Sequence, residues 1–414
     1  MRLSLLILFA LTALPGLPVA AQDLPPNVEN PDKAINDWRY SDPVFFWRLT
    51  SQPENPFEPP DWFYWPDAVI EGDAKAFLPA AQAGATTIPA STLKAMEKWS
   101  EERKSNALIV VRKGRVQLER YWNGTKPDDI LNGRAITRSV TPMALGFAIE
   151  DGKLSLDDPI GKYITEWKTD LRGKITVRQL AQNVSGLEVA DQPAIDQIKD
   201  NKDLCLVYCG DIVRAVLAYD YVIEPGTKFE VAQENMQLLA LVIERATGTP
   251  IQEIVSKRIW QPMGGMNATF QFDRPGGKAR TMCCMRATAR DWTRLGLLVA
   301  NEGKWLDRQV IPKSWLATMA TPSANNPNFG LGLWLGSPFV AKRTYFEGTP
   351  GVIPQSEPYL ADDVRIMEGG GFRVVYAVPS QDLVIFRHGP GVPDWDGAYL
   401  VNTAIRGIQA KVDQ

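Results

Sequence analysis

The sequence is poor in the side chains that most often build metal centres. It has one histidine, His388, and four cysteines in 414 residues. The cysteines lack the Cys-x-x-Cys spacing of a zinc site, so no metal is predicted, and no motif predicts another cofactor. An oxidising compartment permits disulfides, including a link from either of the first two cysteines to the adjacent pair, and the pairing stays open. The four are Cys205, Cys209, Cys283 and Cys284.

The chain also lacks a large excess of either charge. It contains 45 lysines and arginines against 48 aspartates and glutamates, a net charge of −3 at pH 7. Because no basic stripe is available to neutralise phosphates, nucleic acid is not an expected partner. With 45% hydrophobic and 22% charged residues, the composition is typical of a globular protein with a substantial core.

Long apolar runs are absent except for a short one near the start of the sequence. Residues 3–11 are almost all apolar, follow Met1-Arg2 and are followed by Pro15-Gly16. This pattern is typical of a secretory signal peptide, here cleaved after Ala21. A membrane anchor is the alternative, but the run is shorter than the roughly 20 residues that span a bilayer. We therefore predict a signal peptide over residues 1–21, a periplasmic or secreted protein, and no stable membrane insertion after cleavage.

Residues 22–90 are rich in proline and aromatic side chains. Repeated prolines oppose long helices, while aromatic rings favour burial. We expect an irregular N-terminal arm packed on the main domain, and a wall of a ligand cleft is the alternative role.

The remainder, residues 91–414, predicts one α+β domain. Residues 107–121 and 373–387 each have two apolar halves around a turn, which indicates two β-hairpins. Residues 140–151 are apolar on nearly all sides and stop at Gly152, which indicates a deeply buried helix. Helices also fit residues 91–104, 177–182, 211–218, 235–247, 251–260, 287–301 and 398–412. Strands at both ends with helices between them suggest one sheet split around a helical insertion.

Five phrases, in this order, resemble one known family. They are VTPMALGFAIEDGKLSLDD (140–158), ITVRQLAQNVSGL (175–187), EPGTKFEVAQENMQLLALVIERATG (224–248), ATARDWTRLG (287–296) and AVPSQDLVIFRHG (377–389). Together they resemble the β-lactamase-related serine hydrolases, which include class C β-lactamases, D-Ala-D-Ala peptidases, esterases and 6-aminohexanoate-dimer hydrolases. The resemblance implies an antiparallel sheet flanked by helices, an inserted helical lobe, and a cleft between lobe and sheet.

The resemblance also implies three catalytic motifs. Ser-x-x-Lys stands at the start of the buried helix, Tyr-x-Asn on a loop of the helical lobe, and Lys/His-x-Gly on a sheet strand. In such a site the serine attacks an acyl carbon, a neutral lysine or tyrosine oxygen takes its proton, and backbone N–H groups hold the oxyanion.

All three motifs are degenerate in this sequence. The first falls on Ala135 and Arg138, and alanine has no nucleophilic oxygen while arginine stays protonated. The second falls on Val231 and Gln233, so the tyrosine is lost. The third falls on Glu368-Gly369, which keeps the glycine and loses the cation. No catalytic residue is therefore predicted to be intact.

Two residues near the first motif offer other interpretations. Ser139 is a fallback nucleophile near a helix N-terminus, although a structural hydroxyl is the favoured interpretation. Arg138 is a candidate ligand-binding residue, because a guanidinium suits a carboxylate, and a structural salt bridge is equally favoured.

Thr141-Pro142 has the form of an N-cap followed by proline at the first helical position, which predicts a later helix start. His388 follows a predicted strand, and we expect it to be structural.

Three functions are consistent with this pattern. The first is an exported homologue without acyl-serine activity that binds a small molecule, a peptidoglycan-like ligand or a partner in the former cleft. The second is an active hydrolase of amide or ester bonds with a non-standard nucleophile, Ser139 first. The third is an envelope protein that uses the fold as an interaction surface.

Overall fold

The computed structural model describes residues 42–51, 60–82, 84–189, 202–345 and 352–412. Its helices are α1 (Pro43–Thr50), α2 (Ala90–Glu102), α3 (Thr137–Glu150), α4 (Val177–Ala181), α5 (Lys202–Tyr208), α6 (Ile212–Leu217), α7 (Gln233–Thr247), α8 (Ile251–Val255), α9 (Ala289–Ala300), α10 (Lys313–Met319) and α11 (Tyr399–Val412). Its strands are β1 (Asp67–Ile70), β2 (Ala107–Arg112), β3 (Arg115–Tyr121), β4 (Leu131–Asn132), β5 (Ala268–Gln271), β6 (Met285–Ala287), β7 (Lys304–Trp305), β8 (Arg308–Gln309), β9 (Trp334–Leu335), β10 (Lys342–Thr344), β11 (Val352–Pro354), β12 (Arg365–Gly369), β13 (Arg373–Val378) and β14 (Leu383–His388).

The larger sheet joins the two predicted hairpins. Its six strands run in the order β3-β2-β14-β13-β12-β9, and every neighbouring pair is antiparallel. Strand β14 pairs with β2, with Ile385 opposite Val110, so the last strand of the chain lies beside the first strand of the domain. The predicted α+β class, with one sheet divided around a helical insertion, is confirmed.

Alternate residues of the central strands enter two different cores. Leu108 and Val110 face a core shared with α2 and α11, whereas Ile109 and Val111 face one shared with α3 and α9. Successive side chains of a strand point to opposite faces, so a strand covered by helices on both faces is apolar throughout. This explains why β2 is a continuous hydrophobic run in the sequence.

Helix α3 is the predicted buried helix, but it begins earlier than predicted. It starts at Thr137, directly after a 3₁₀ turn over Arg134–Ile136, and residues 139–148 are buried. The predicted N-cap at Thr141 is wrong, because the helical backbone is already established and Pro142 lies inside the helix. Pro142 has no N–H to donate to the Arg138 carbonyl four residues earlier.

Gly332 packs directly against this interrupted turn. A Cβ atom at Gly332 would lie 2.5 Å from Cγ of Pro142 and 3.1 Å from the carbonyl oxygen of Arg138. Its backbone also has a φ of +73°, which glycine adopts without strain. The close approach of this loop therefore requires glycine at position 332.

Between the two hairpins lies the helical lobe. Helix α7 packs against α3 and α4, and it ends at Gly248 in the left-handed conformation. The helix predicted over residues 251–260 divides into α8 and a π-helical turn over Ser256–Trp260. A second sheet of four strands has the order β1-β5-β6-β4.

The described part of the N-terminal arm packs on the domain through buried groups. Phe45 and Phe63 belong to the core shared with α3, and β1 pairs with β5. Arg48 is fully buried, and its guanidinium donates to the carbonyls of Tyr208 (3.0 Å) and Asp273 (3.0 Å) among others. A charged side chain thus ties the arm to two distant segments.

Each cysteine is paired with its neighbour in sequence. Disulfides join Cys205 to Cys209 and Cys283 to Cys284. The cross-link that the sequence left open, from one pair to the other, is therefore not formed.

The predicted signal peptide, residues 1–21, and the arm up to residue 41 lie outside the described residues. Within the described ranges, no helix combines the length and apolar character needed to cross a bilayer.

Replacing Arg48 with methionine is expected to lower the free energy of unfolding by about 3–5 kcal/mol, because buried carbonyls would lose a charged donor. The carbonyls concerned include those of Trp65 and Cys209. Urea denaturation followed by circular dichroism measures the change. Arg308→Met, at an exposed strand position, is the matched control and should change stability by less than about 0.5 kcal/mol. Equal midpoints for the two variants would contradict the proposed anchoring.

Candidate active site

The three degenerate motifs meet around one small cavity. Its wall is formed by the first turn of α3, by Val231 in the loop before α7, and by strand β12. Its volume is about 20 Å³. One water molecule needs about 10–15 Å³ of such space, whereas pockets for small ligands have roughly 300–1,000 Å³. The lining residues are Ala135, Arg138, Ser139, Asn183, Val231, Met236, Phe329, Gly332, Trp334, Tyr345 and Glu368.

Two of the predicted motif residues lie beside this cavity and not on its wall. Gln233 is the first residue of α7. Gly369 ends β12 against the 3₁₀ turn, where a Cβ atom would lie 2.3 Å from the carbonyl oxygen of Gly133 and 3.1 Å from the backbone nitrogen of Ala135. Glycine at position 369 thus allows the sheet to approach the start of α3.

The first motif supplies a methyl group and a cation. Ala135 is in the 3₁₀ turn before α3, and its side chain has no atom that attacks an acyl carbon. The Nε of Arg138 donates to the carbonyl of Met282 at 2.9 Å. Because a guanidinium keeps its proton at physiological pH, Arg138 is not a general base.

The hydroxyl of Ser139 is buried and already bonded. It donates to the carbonyl of Gly332 at 2.6 Å, and 3% of the residue is exposed. A peptide carbonyl accepts a hydrogen bond but does not remove the proton, so this partner does not activate the oxygen. Within the described residues, no hydrogen bond joins Ser139 to the nearby carboxylate of Glu368.

Glu368, at the position where the resemblance implies a cation, forms a buried ion pair. Its Oε2 accepts from Nη2 of Arg343 at 2.7 Å, and both side chains are at most 5% exposed. Burial raises the pKa of Glu368, and the charge of Arg343 opposes that rise. Burial disfavours the charged form of Arg343 as well, but Glu368 and the nearby tyrosines together outweigh this effect and raise the pKa of the guanidinium.

The segment that carries Arg343 also reaches the second motif. The backbone N–H of Val231 donates to the carbonyl of Tyr345 at 2.9 Å. The ring of Tyr345 lies 6.0 Å from the ring of Trp334, and burial raises the pKa of its hydroxyl. Residues 343–345 therefore extend from strand β12 to the loop before α7.

Three residues of this site were not identified from the sequence. Arg343 and Tyr345 lie outside the five family-like phrases, and their contacts join positions far apart in the chain. Asn183 lies within the second phrase, and its Oδ1 accepts from Nδ2 of Asn235 at 3.3 Å. The only available signal was Glu368 itself, since a buried carboxylate requires a cationic or hydrogen-bonding partner.

His388 is the last residue of strand β14, and the groups within hydrogen-bonding distance of its ring are not nucleophiles. Its Nε2 accepts from Nε of Arg373 at 3.0 Å, and its Nδ1 lies 3.5 Å from Nδ2 of Asn106. Burial lowers the pKa of His388 well below its ordinary value, and the charges of Arg373 and Arg387 lower it further. The imidazole is therefore neutral in the folded protein.

A family model described as Beta-lactamase matches residues 90–387 of the chain. The match covers most of the sequence and includes all three degenerate motifs. The resemblance inferred from the five phrases is thus confirmed.

Curated relatives match over shorter stretches. Protein flp of Staphylococcus aureus (strain MW2) is 24% identical over 178 residues, which are 40% of this chain and 34% of that protein. The chain therefore matches about a third of the length of this relative. The 6-aminohexanoate-dimer hydrolase of Paenarthrobacter ureafaciens is 25% identical over 248 residues, 56% of this chain and 60% of that protein.

Solved structures share the fold at lower identity. A Bacillus anthracis protein assigned to the 6-aminohexanoate-dimer hydrolases superposes with a TM-score of 0.67 and 18% identity, covering 88% of this chain and 96% of that one. The octameric penicillin-binding protein homologue from Pyrococcus abyssi has a TM-score of 0.56 and 18% identity, with 77% of each chain covered. At these identities the likeness shows the fold alone.

The neutral state of His388 predicts a distinct dependence of stability on pH. The unfolded histidine binds a proton below about pH 6.5 and the folded one does not, so unfolding becomes more favourable as pH falls. Between pH 6.5 and 5.5 the free energy of unfolding should fall with a slope that approaches about 1.4 kcal/mol per pH unit.

Urea denaturation at several pH values measures this slope. Because His388 is the only histidine, His388→Gln should flatten the curve above pH 5.5. The same slope in both proteins would mean that the imidazole is not held neutral.

Proposed function

The chain belongs to the β-lactamase family, and we propose that it is an exported member that has lost acyl-serine chemistry and works by binding. The binding site we assign to it is the former catalytic cleft, with a small molecule, a peptidoglycan-like fragment or a protein segment as the ligand.

The observation that carries this proposal is the content of the cavity where the three motifs meet. A methyl group and a guanidinium, from Ala135 and Arg138, occupy the positions of nucleophile and base. The remaining space of about 20 Å³ admits a water molecule but no acyl group. Substrate attack at these motif positions therefore lacks an attacking atom.

The replacement at the second motif supports the same conclusion. Val231 offers an aliphatic side chain where the family has a tyrosine oxygen, so proton relay from that side is also lost. Acyl transfer needs a nucleophile, a proton acceptor and oxyanion donors together, and removing one member of such a set removes most of the rate enhancement.

The rival hydrolase hypothesis depends on Ser139, and its contacts count against it. Its oxygen is buried, and its proton is directed at the Gly332 carbonyl. To react, the hydroxyl would have to break this bond, become exposed and acquire a base. No described contact favours that change.

Binding in the cleft is favoured because a guanidinium, an amide and a carboxylate line the same space. Arg138, Asn183 and Glu368 come from three separate elements and line the same space. Each of the three side chains has a partner inside the protein, and displacement of residues 343–345 would make Glu368 available to a cationic group of a ligand. Ligand entry requires the covering residues 343–345 to move.

Export is proposed from the composition of residues 1–21 alone. Expression of the full chain in a Gram-negative bacterium, followed by fractionation and N-terminal sequencing, tests it. A mature protein that begins at Gln22 in the periplasm or medium is the expected result. Intact protein that begins at Met1 and stays in the cytoplasm would exclude export.

The purified protein should not be acylated by a fluorophosphonate probe or by a fluorescent penicillin. Gel fluorescence and intact-mass spectrometry measure adduct formation, with an active serine β-lactamase as positive control. No labelling above background is expected, because no described oxygen in the cleft has a proton acceptor positioned to activate it.

Ser139→Ala is the matched variant for this experiment. Equal, background labelling of both proteins supports the absence of acyl-serine chemistry. A stoichiometric adduct on the natural protein that maps to Ser139 and is lost in Ser139→Ala would establish the hydrolase hypothesis instead. An adduct at any other single serine would also overturn the proposal.

A further inference from the structure

We propose that residues 343–345 occupy the former cleft as a built-in stand-in for a ligand, and that this ligand is an extended peptide with a basic side chain and, two residues later, an aromatic one. The proposal rests on the binding role assigned above and names the ligand class for the same site. It also makes the segment an autoinhibitory cover.

The segment 343–345 contacts the positions of two motifs directly. The guanidinium of Arg343 donates to Glu368 on strand β12, and the carbonyl of Tyr345 accepts a hydrogen bond from the N–H of Val231. Tyr345 lines the same cavity as Ala135. One stretch of three residues thus touches or borders the positions of all three family motifs, where an active relative would hold its substrate.

The charge at position 368 sets the first requirement for the ligand. The family resemblance implies a cation at this strand position, which suits an anionic group on the substrate. Glu368 reverses the sign, and the guanidinium of Arg343 fills the place next to it at 2.7 Å. The guanidinium also lies 5.1 Å from the ring of Trp334, so the subsite combines a carboxylate with an aromatic face. Such a subsite suits arginine or lysine.

An aromatic cluster sets the second requirement. Phe229, Phe329 and Trp334 lie within 5.0–5.9 Å of one another, measured between ring centroids. The ring centroid of Tyr345 lies 6.0 Å from that of Trp334. Edge-to-face and tilted contacts at these distances favour an aromatic side chain over an aliphatic one.

The segment is attached in a way that allows displacement. Among the described residues, strand β10 pairs with β11 over three residue pairs, and this two-stranded sheet is separate from the six-stranded one. A two-stranded pairing is marginally stable by itself, so the segment is held in place by the ion pair, the Val231 bond and the contacts of Arg343 and Tyr345 with Trp334. Lys342 and Thr344, on either side of Arg343, are exposed.

Intramolecular competition follows from this arrangement. A tethered segment has an effective concentration in the millimolar range, so it outcompetes a free peptide with the same contacts. Weakening the tethered segment while keeping Glu368 should therefore increase affinity for an added peptide.

The experiment uses the full chain and a fluorescein-labelled, capped peptide that copies residues 341–345, Ala-Lys-Arg-Thr-Tyr. Fluorescence polarisation gives the dissociation constant for the natural protein, Arg343→Ala and Tyr345→Ala. Both variants are expected to bind at least tenfold more tightly than the natural protein. A peptide with alanine in place of arginine should bind Arg343→Ala at least tenfold more weakly than the original peptide.

Two controls keep the result decisive. Lys342→Ala, an exposed neighbour, should bind the peptide as weakly as the natural protein. Arg343→Ala leaves Glu368 without its ion-pair partner, so circular dichroism and the melting temperature establish whether it folds. If it does not fold, Tyr345→Ala, which removes no charge, decides the outcome.

The proposal is overturned if folded Tyr345→Ala and Arg343→Ala bind no more tightly than the natural protein, or if both peptides bind equally. Either result, together with background probe labelling, would leave the loss of hydrolysis standing and remove only the peptide ligand. An adduct in the labelling experiment would instead remove the proposed function itself, whatever the peptide does.

Discussion

Two opposite charges, on Arg343 and Glu368, lie 2.7 Å apart in a region closed to solvent, and the present form of the cleft depends on them. Transferring one charge alone into such a place costs several kcal/mol, so each side chain requires the other. A carboxylate buried at position 368 therefore requires a cationic partner. The partner, Arg343, belongs to a segment that borders the cavity, where only about 20 Å³ of space remains.

The fold is maintained by two cores to which the residues of the first motif, Ala135 and Arg138, do not belong. The sheet is stabilised on one face by α2 and α11 and on the other by α3 and α9, through side chains such as Val110 and Val111. Ala135 and Arg138 stand at the start of α3, before its fully buried stretch. Substitutions at these two positions therefore leave the apolar area buried by the sheet almost unchanged.

The sequence predicted what depends on local pattern and missed what depends on distant pairing. Both hairpins, the buried helix and the Gly152 stop follow from hydrophobic periodicity and turn chemistry, and the structure has them. Thr141-Pro142 predicted a helix start wrongly, since the preceding 3₁₀ turn leads into the helix without a break. The Arg343–Glu368 pair joins strands β10 and β12, which meet only in the tertiary structure, so no local sequence pattern predicted the pair. The cysteine pairing is local, between Cys205 and Cys209 and between Cys283 and Cys284, but the spacing alone did not distinguish it from a link between the two pairs.

The floor of the cleft, formed by residues 133–138, and its cover, residues 343–345, are held by different kinds of contact. On the floor, Arg138 bonds the carbonyl of Met282, the N–H of Met285 bonds Oγ1 of Thr137, and the N–H of Gly133 bonds the carbonyl of Met285. These bonds join the start of α3 to strand β6 at several points. Among the described contacts, the cover is held to the body of the site by the Arg343–Glu368 ion pair, the backbone bond to Val231, and the contacts of Arg343 and Tyr345 with the ring of Trp334. A ligand that competes for the cleft gains most by replacing these contacts, so opening should occur at residues 343–345 while the floor stays in place.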